Sequence, residues 1–331
     1  MNAVNQTSTL EISDVHLRES EGEDGAQGFS HTFVPGEISV VLGANQSGKT
    51  DLCRLIAGLN TRARGKVVLD GQPLNEIKAR KRPVAMVYQA FVNYPNLSVF
   101  DNIASPLRAR RVRANEIAET VADLATKLRI SELLSRLPSE LSGGQQQRVA
   151  IARAMAKQAK VLLLDEPLVN LDFKLREALE VELRDLLRAS NTVVIYTSSD
   201  PRDAFALGDH LLLLDDGNFM QSGKPLEVYS KPQSLAAMSL LADPSVNQFQ
   251  RGEQLCALRP EHIKVAQTLQ TQVNEVAFSM TVTAYETNGD ESFVHGQVEA
   301  HDWVLRARGM LPVSVGDKLA LVASTQDVMR F

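Results

Sequence analysis

Glu37-Ile-Ser-Val-Val-Leu42, followed at once by Gly43-Ala44-Asn45-Gln46-Ser47-Gly48-Lys49-Thr50, decides the fold of the larger part of this chain. Residues of buried-strand character run into a glycine-containing loop. The loop opens a predicted helix carried by Leu52, Leu55 and Ile56 and ending near Gly58. Strand, loop and helix in this order match the P-loop pattern. Glycine is needed where backbone N–H groups must approach phosphate oxygens closely. Lys49 would reach the β- and γ-phosphates, Thr50 would ligate Mg²⁺, and the helix N-terminus adds partial positive charge.

Val161-Leu-Leu-Leu-Asp165-Glu166-Pro167 supplies the second half of such a site. An apolar strand ending in two acids places Asp165 near Mg²⁺ and lets Glu166 polarise an attacking water as general base. Leu141-Ser142-Gly143-Gly144-Gln145, with Gln146, Gln147 and Arg148 after it, would cap a further helix through Val149, Ile151 and Ala152. Its free N–H groups and hydroxyl again suit an anion. One lobe cannot readily close two such anion sites on one ATP. Two chains facing each other, each segment closing on the partner's γ-phosphate, is the economical arrangement.

Outward from these motifs, strands alternate with helices. Residues 100–160 read as helical, with Ile117, Val121, Leu124 and Leu128 at spacings of three or four. Val161–Leu164 and Val193–Tyr196 read as strands buried on both faces, separated by a helix carrying Leu175, Leu179, Leu183 and Leu186. The expected fold is a doubly wound α/β nucleotide-binding domain over residues 1–235, with a helical subdomain at about 90–155. Pro232 and Pro244 punctuate the connection to residues 236–331. There, Val-, Thr- and Phe-rich segments broken by Asn288-Gly289-Asp290 and Gly316-Asp317 predict a small all-β domain of oligonucleotide/oligosaccharide-binding type.

Composition excludes several alternatives. The net charge of −5 gives no basic excess for nucleic acid. Cys53 and Cys256 lie far apart in no metal-like or disulfide-like spacing and read as buried thiols in a reducing compartment. No apolar run approaches the roughly 20 residues that span a bilayer, and the polar N-terminus does not read as a signal peptide. Any membrane role must therefore come through partner subunits.

The P-loop, the acidic strand end and Leu141–Gln145 occur in the order of ABC-transporter ATPases, and the chain resembles that family along essentially its whole length. The resemblance implies ATP and Mg²⁺ as cofactors. It also implies a second ATPase subunit, identical or different, two membrane-spanning permease subunits, and indirectly a solute-binding protein, at the cytoplasmic face of the inner membrane. Gln89 is similar to the family's Q-loop glutamine near Mg²⁺ and water, and Asn170-Leu171-Asp172 to the loop that bridges the two chains. Tyr94–Ile103 resembles the surface that receives a membrane subunit's coupling helix, with Tyr94, Pro95, Leu97 and Val99 expected in an apolar groove. Leu258-Arg-Pro-Glu-His262 is similar to the start of the C-terminal β domain of carbohydrate-type importers. Asn93-Tyr94-Pro95, Ile103–Arg108 and Asn170–Glu177 look closest to glycerol-importer ATPases. Glycerol or a related polyol is the leading solute class, with another carbohydrate second. The competing classes are a non-transport ABC ATPase, against which the lack of coiled-coil insertions argues, and a partly silent regulatory subunit.

Three positions depart from the family. Ser199 stands where a histidine usually meets the γ-phosphate, and serine cannot supply an imidazole. Glu19 stands where an adenine-stacking aromatic is expected. Asp51 follows Thr50, where a carboxylate suits a helix N-terminus and either opposes a phosphate or points outward. The departures gather in the half-site built on this chain's own P-loop.

Overall fold

The computed structural model describes residues 8–18, 28–90, 92–169, 173–267 and 273–331. The chain divides into two compact units, Met1–Lys231 and Pro232–Phe331. The first unit begins with β1 (Leu10–His16), β2 (Phe29–Phe33), β3 (Ile38–Leu42) and α1 (Lys49–Ala57). β4 (Arg64–Leu69), β5 (Gln72–Pro73) and β6 (Val84–Val87) lead into α2 (Val99–Ala109), α3 (Ala114–Lys127) and α4 (Gly143–Ala156). The chain then returns through β7 (Val161–Asp165), α5 (Phe173–Ala189), β8 (Val193–Ser198) and α6 (Pro201–Ala206). β9 (His210–Asp215), β10 (Asn218–Gly223) and α7 (Pro225–Ser230) complete it.

Six strands form one sheet in the order β10-β9-β3-β8-β7-β6, parallel except for the antiparallel edge β10. Every residue of β3, β7 and β8 is buried, which requires cover on both faces. On one face Val41, Leu163, Ile195 and Leu212 share a core with Leu52 and Ile56 of α1. Leu10, Ile12 and Val67 of the antiparallel sheet β2-β1-β4-β5 belong to the same core. α1 is thereby held between two sheets, and its first turn is fixed at the carboxyl end of β3. Truncating such fully buried aliphatics typically costs about 2–5 kcal/mol, so the cradle at the head of α1 has a stiff base.

The helical subdomain is α2, α3 and α4 packed on one another. Ile117, Val121, Leu124 and Leu128 are buried, as their spacing predicts. In α5 the buried stripe runs Leu179, Leu183, Leu187, while Leu186 is only half-buried; a strict step of four places Leu187, not Leu186, under the sheet. The β9–β10 connection is a two-residue hairpin, with Asp215 opposite Asn218 and both Asp216 (φ 44°) and Gly217 (φ 83°) left-handed.

The second unit starts with α8 (Leu235–Leu240) and is otherwise antiparallel β. Its strands are β11 (Asn247–Arg251), β12 (Gln254–Leu258), β13 (Lys264–Ala266), β14 (Glu275–Thr287), β15 (Glu291–Val298), β16 (His301–Arg308), β17 (Lys318–Ser324) and β18 (Met329–Arg330). They form the sheets β11-β12-β18 and β13-β17-β14-β15-β16. Phe249, Phe278 and Trp303 pack ring against ring at 4.6–5.9 Å between centroids, and the Trp303 indole N–H donates to the Gln248 carbonyl at 2.9 Å. Asn288-Gly289-Asp290 turns β14 into β15, and Gly316-Asp317 precedes β17. Cys53 and Cys256 are both buried free thiols.

Candidate nucleotide site

β3 delivers the chain into the cradle, and the cradle is built for close backbone approach. A Cβ at Gly43 would sit 2.3 Å from the Leu214 carbonyl oxygen and 2.4 Å from Ser47 Oγ, so only glycine fits. Gly48 has φ 99° at the N-cap of α1, a conformation glycine adopts without a side-chain penalty. Lys49 is 4% exposed, and its Nζ donates to the carbonyls of Gly43 (2.7 Å) and Ala44 (2.8 Å) while facing Glu166 Oε1 at 3.2 Å. Ser47 Oγ is buried without a hydrogen-bond partner among the described residues. A buried ammonium, an orphaned hydroxyl and a helix N-terminus converging on one concavity fit a nucleotide's phosphates.

The acidic strand end closes the cradle. Thr50 Oγ1 donates to Asp165 Oδ1 at 3.1 Å, and Thr197 Oγ1 donates to the same oxygen at 2.9 Å. The Thr197 oxygen also accepts from the Glu166 N–H at 3.0 Å, so this one hydroxyl positions both acids. Burial raises the Asp165 carboxyl above the usual carboxylate range and the neighbouring Glu166 adds to that, while the two threonine hydroxyls and Lys49 oppose it. Two acids against the single Lys49, with hydroxyl and amide oxygens beside them, form a hard-oxygen donor set that suits Mg²⁺. Glu166 itself has φ 46°, an uncommon conformation for a non-glycine residue. Gln89 Nε2 donates to its Oε2 at 3.1 Å, joining the Gln89 loop to the acid.

The other predicted positions divide. Ser199 follows β8 directly and lines a cavity of about 180 Å³ with Glu166, Arg176, Asp200 and Asp203. His210, in contrast, opens β9 level with Ser39, several residues back from the cradle, and stacks near His31 at 5.0 Å. Asp51 is turned away from the phosphate side: Thr61 Oγ1 donates to its carboxylate at 2.9 Å. Glu19 and Asn170-Leu171-Asp172 lie outside the described residues. Ser142, Gly143, Gly144 and Gln145 begin α4, well separated in sequence from the cradle. The Ser142 hydroxyl accepts from the Gln145 N–H (3.4 Å), and the Gln145 side-chain carbonyl accepts from the Ser142 N–H (2.9 Å), a capping box. Ser142 and Gly143 are exposed, and a Cβ at Gly143 would meet nothing within 4 Å.

A groove of about 370 Å³ runs beside α2 and α4, lined by Tyr88, Val92, Tyr94, Pro106, Ala109 and Arg153 among others. Tyr94 is there as expected, with the Arg153 guanidinium 4.7 Å over its ring. Pro95, Leu97 and Val99 are not. Ser98 caps α2, which turns Val99 inward to complete burial. Asn102, given no role by the sequence reading, shapes this loop: its amide donates to the carbonyls of Tyr94, Leu97 and Ser98 and accepts from the Tyr94 N–H. Thr197 was also missed. Its signal was positional, since the strand register sets it opposite Asp165.

Among known proteins, the ABC transporter family pattern matches residues 26–169, and the TOBE domain pattern matches residues 256–331. The chain belongs to the ABC transporter family, as an ATP-binding subunit with ATPase activity coupled to transport. An sn-glycerol-3-phosphate import ATP-binding protein of Rhodopseudomonas palustris is 34% identical, over 98% of this chain and 97% of its own length. One from Cupriavidus metallidurans is 32% identical over 97% and 96%. A spermidine/putrescine import ATP-binding protein of Hahella chejuensis is 38% identical over 72% of this chain and 65% of its own. No helix among the described residues is long and apolar enough to cross a membrane.

Proposed function

We propose that this chain energises import of glycerol or a related polyol, its phosphate ester included, by hydrolysing Mg²⁺-ATP between two ATPase subunits. The observation that carries the hydrolytic half is the set of buried Lys49, Asp165 and Thr197 with half-buried Thr50 and Glu166, tied together within 3.2 Å. Gly43–Gly48 and Lys49 hold the phosphates, Thr50, Asp165 and Gln89 hold Mg²⁺, and Glu166 accepts a proton from the attacking water. Mg²⁺, when bound, supplies charge neutralisation at the phosphates. Glu166 is released from Lys49 and Gln89 as those groups turn to the nucleotide. Ser142–Gln145, at the start of α4 with Ser142 and Gly143 exposed, serves the partner's site, and the groove at Tyr94 receives a membrane subunit at the cytoplasmic face of the inner membrane.

The solute class is supported by the sn-glycerol-3-phosphate relatives, which match along nearly their whole length. Reconstituting the chain with the permease subunits that co-purify from its host, and following uptake of labelled glycerol, sn-glycerol-3-phosphate and putrescine, tests it. ATP-dependent uptake of either of the first two is the expected result. Uptake of putrescine alone would overturn the solute assignment. Hydrolysis that no permease or solute stimulates would overturn coupling.

A further inference from the structure

The cradle contains one residue in a conformation its chemistry does not favour. Gln46 sits at φ 67°, in the left-handed region, where a side chain carries a steric penalty that glycine does not. The conformation turns the Gln46 carbonyl outward, and Arg18 is waiting for it: its Nη2 donates to the Gln46 oxygen at 2.6 Å. Its other terminal nitrogen, Nη1, pairs with the Asp216 carboxylate in the β9–β10 hairpin. The same hairpin reaches the next carbonyl of the loop, because the Gly217 N–H donates to the Ser47 oxygen at 3.1 Å. Gly217 also has to be glycine here, since a Cβ would lie 2.9 Å from Arg18 Cδ and Cγ.

We propose that Arg18 is a positioning residue for nucleotide binding: it clamps the strained Gln46 carbonyl to the β9–β10 hairpin and so keeps the phosphate-facing form of the loop populated. The inference rests on the reading of Gly43–Thr50 as the phosphate cradle. Both outer carbonyls of the loop, Gln46 and Ser47, are tethered from outside, and their tethers meet at Asp216-Gly217. Held outward, these two carbonyls are kept off the side of the loop where an anion would sit. If the competent form is only partly populated, apparent affinity falls by that fraction.

Arg18 is about half exposed, so removing it leaves a folded chain to measure. The test is a cycle of Arg18→Ala, Gln46→Gly and the double variant, read by calorimetric binding of ATP and of inorganic tripolyphosphate to the full chain. Arg18→Ala should weaken both ligands alike, by about five- to tenfold. Gln46→Gly alters the cradle itself and serves as the background of the cycle: within it, adding Arg18→Ala should cost little, so that the double variant recovers most of the loss, because glycine takes this conformation unaided. Equal losses in Arg18→Ala and the double variant would overturn the clamp. A loss for ATP without one for tripolyphosphate would also overturn it, and would make Arg18 a contact of the base. If the parent bound neither ligand, the cradle reading itself would fail, which is distinguishable from failure of the clamp.

Discussion

Two helix N-termini in this molecule are shaped for anions, and their surroundings are opposite. At α1 Ser47, Gly48, Lys49 and Asp165 are buried while Ala44, Asn45 and Gln46 are exposed, and the charged groups already answer one another: Lys49 faces Glu166, Thr50 meets Asp165, and Arg18 and Gly217 hold the loop from outside. At α4, Ser142 and Gly143 stand in solvent with only their own capping box. The first region gathers within one chain the groups that the proposed nucleotide site would use. The second offers donors at Ser142 and Gly143 that are open to solvent among the described residues, which is the form expected of a group contributed to another chain's site. Substitutions at the two should therefore fail in different ways, one at binding and the other after it.

The largest expected effect is at the cradle. Lys49→Ala removes the one ammonium that balances two acids, and ATP affinity of the isolated chain should fall by about a hundredfold or more. A titration showing parent-like affinity would erase the distinction between the regions, since the buried site would then not be the binding site.

A smaller effect, opposite in sign, is expected at Asp165. Its folded-state pKa is raised, chiefly by burial, so ionisation costs more in the folded chain than in the unfolded one. The stability this carboxyl contributes is present at low pH and is lost as pH rises through the raised value. In metal-free solution Asp165→Asn should therefore melt higher than the parent at neutral pH. The gap should narrow as pH falls and the parent carboxyl takes up its proton. Added Mg²⁺ should stabilise the parent and leave the variant unmoved. Thermal melts across pH check all three, and a variant that melts lower at neutral pH would refute the electrostatic account.

The strand–loop–helix at Glu37–Ile56 was legible because every local rule pointed one way: an apolar run, then glycines, then a helical stripe. The acidic strand end was legible for the same reason, as was the all-β second unit from its turn residues. What escaped depends on register or on contacts between distant segments. Thr197 looks like any strand threonine until β8 is laid beside β7. Arg18 and Gln46 are unremarkable letters until φ at 46 is known and the β9–β10 hairpin is folded back on the loop. Tyr94 lines the groove as expected, whereas Val99, also expected there, is buried, because its burial follows from where Ser98 starts a helix. Asp51 looked opposed to phosphate, and only the long reach of Thr61 turns it aside.

The central claim, that one chain binds ATP at α1 and completes a partner's site at α4, meets its most direct test in Gly143→Asp. The position is open, so the substitution should leave the fold intact. The account predicts parent-like ATP affinity in the isolated chain, together with loss of ATP hydrolysis and solute uptake by about a hundredfold or more in the complex assembled with its permeases. Gly143→Asp that weakens ATP binding to the isolated chain, or that leaves uptake in the assembled complex unchanged, would contradict it.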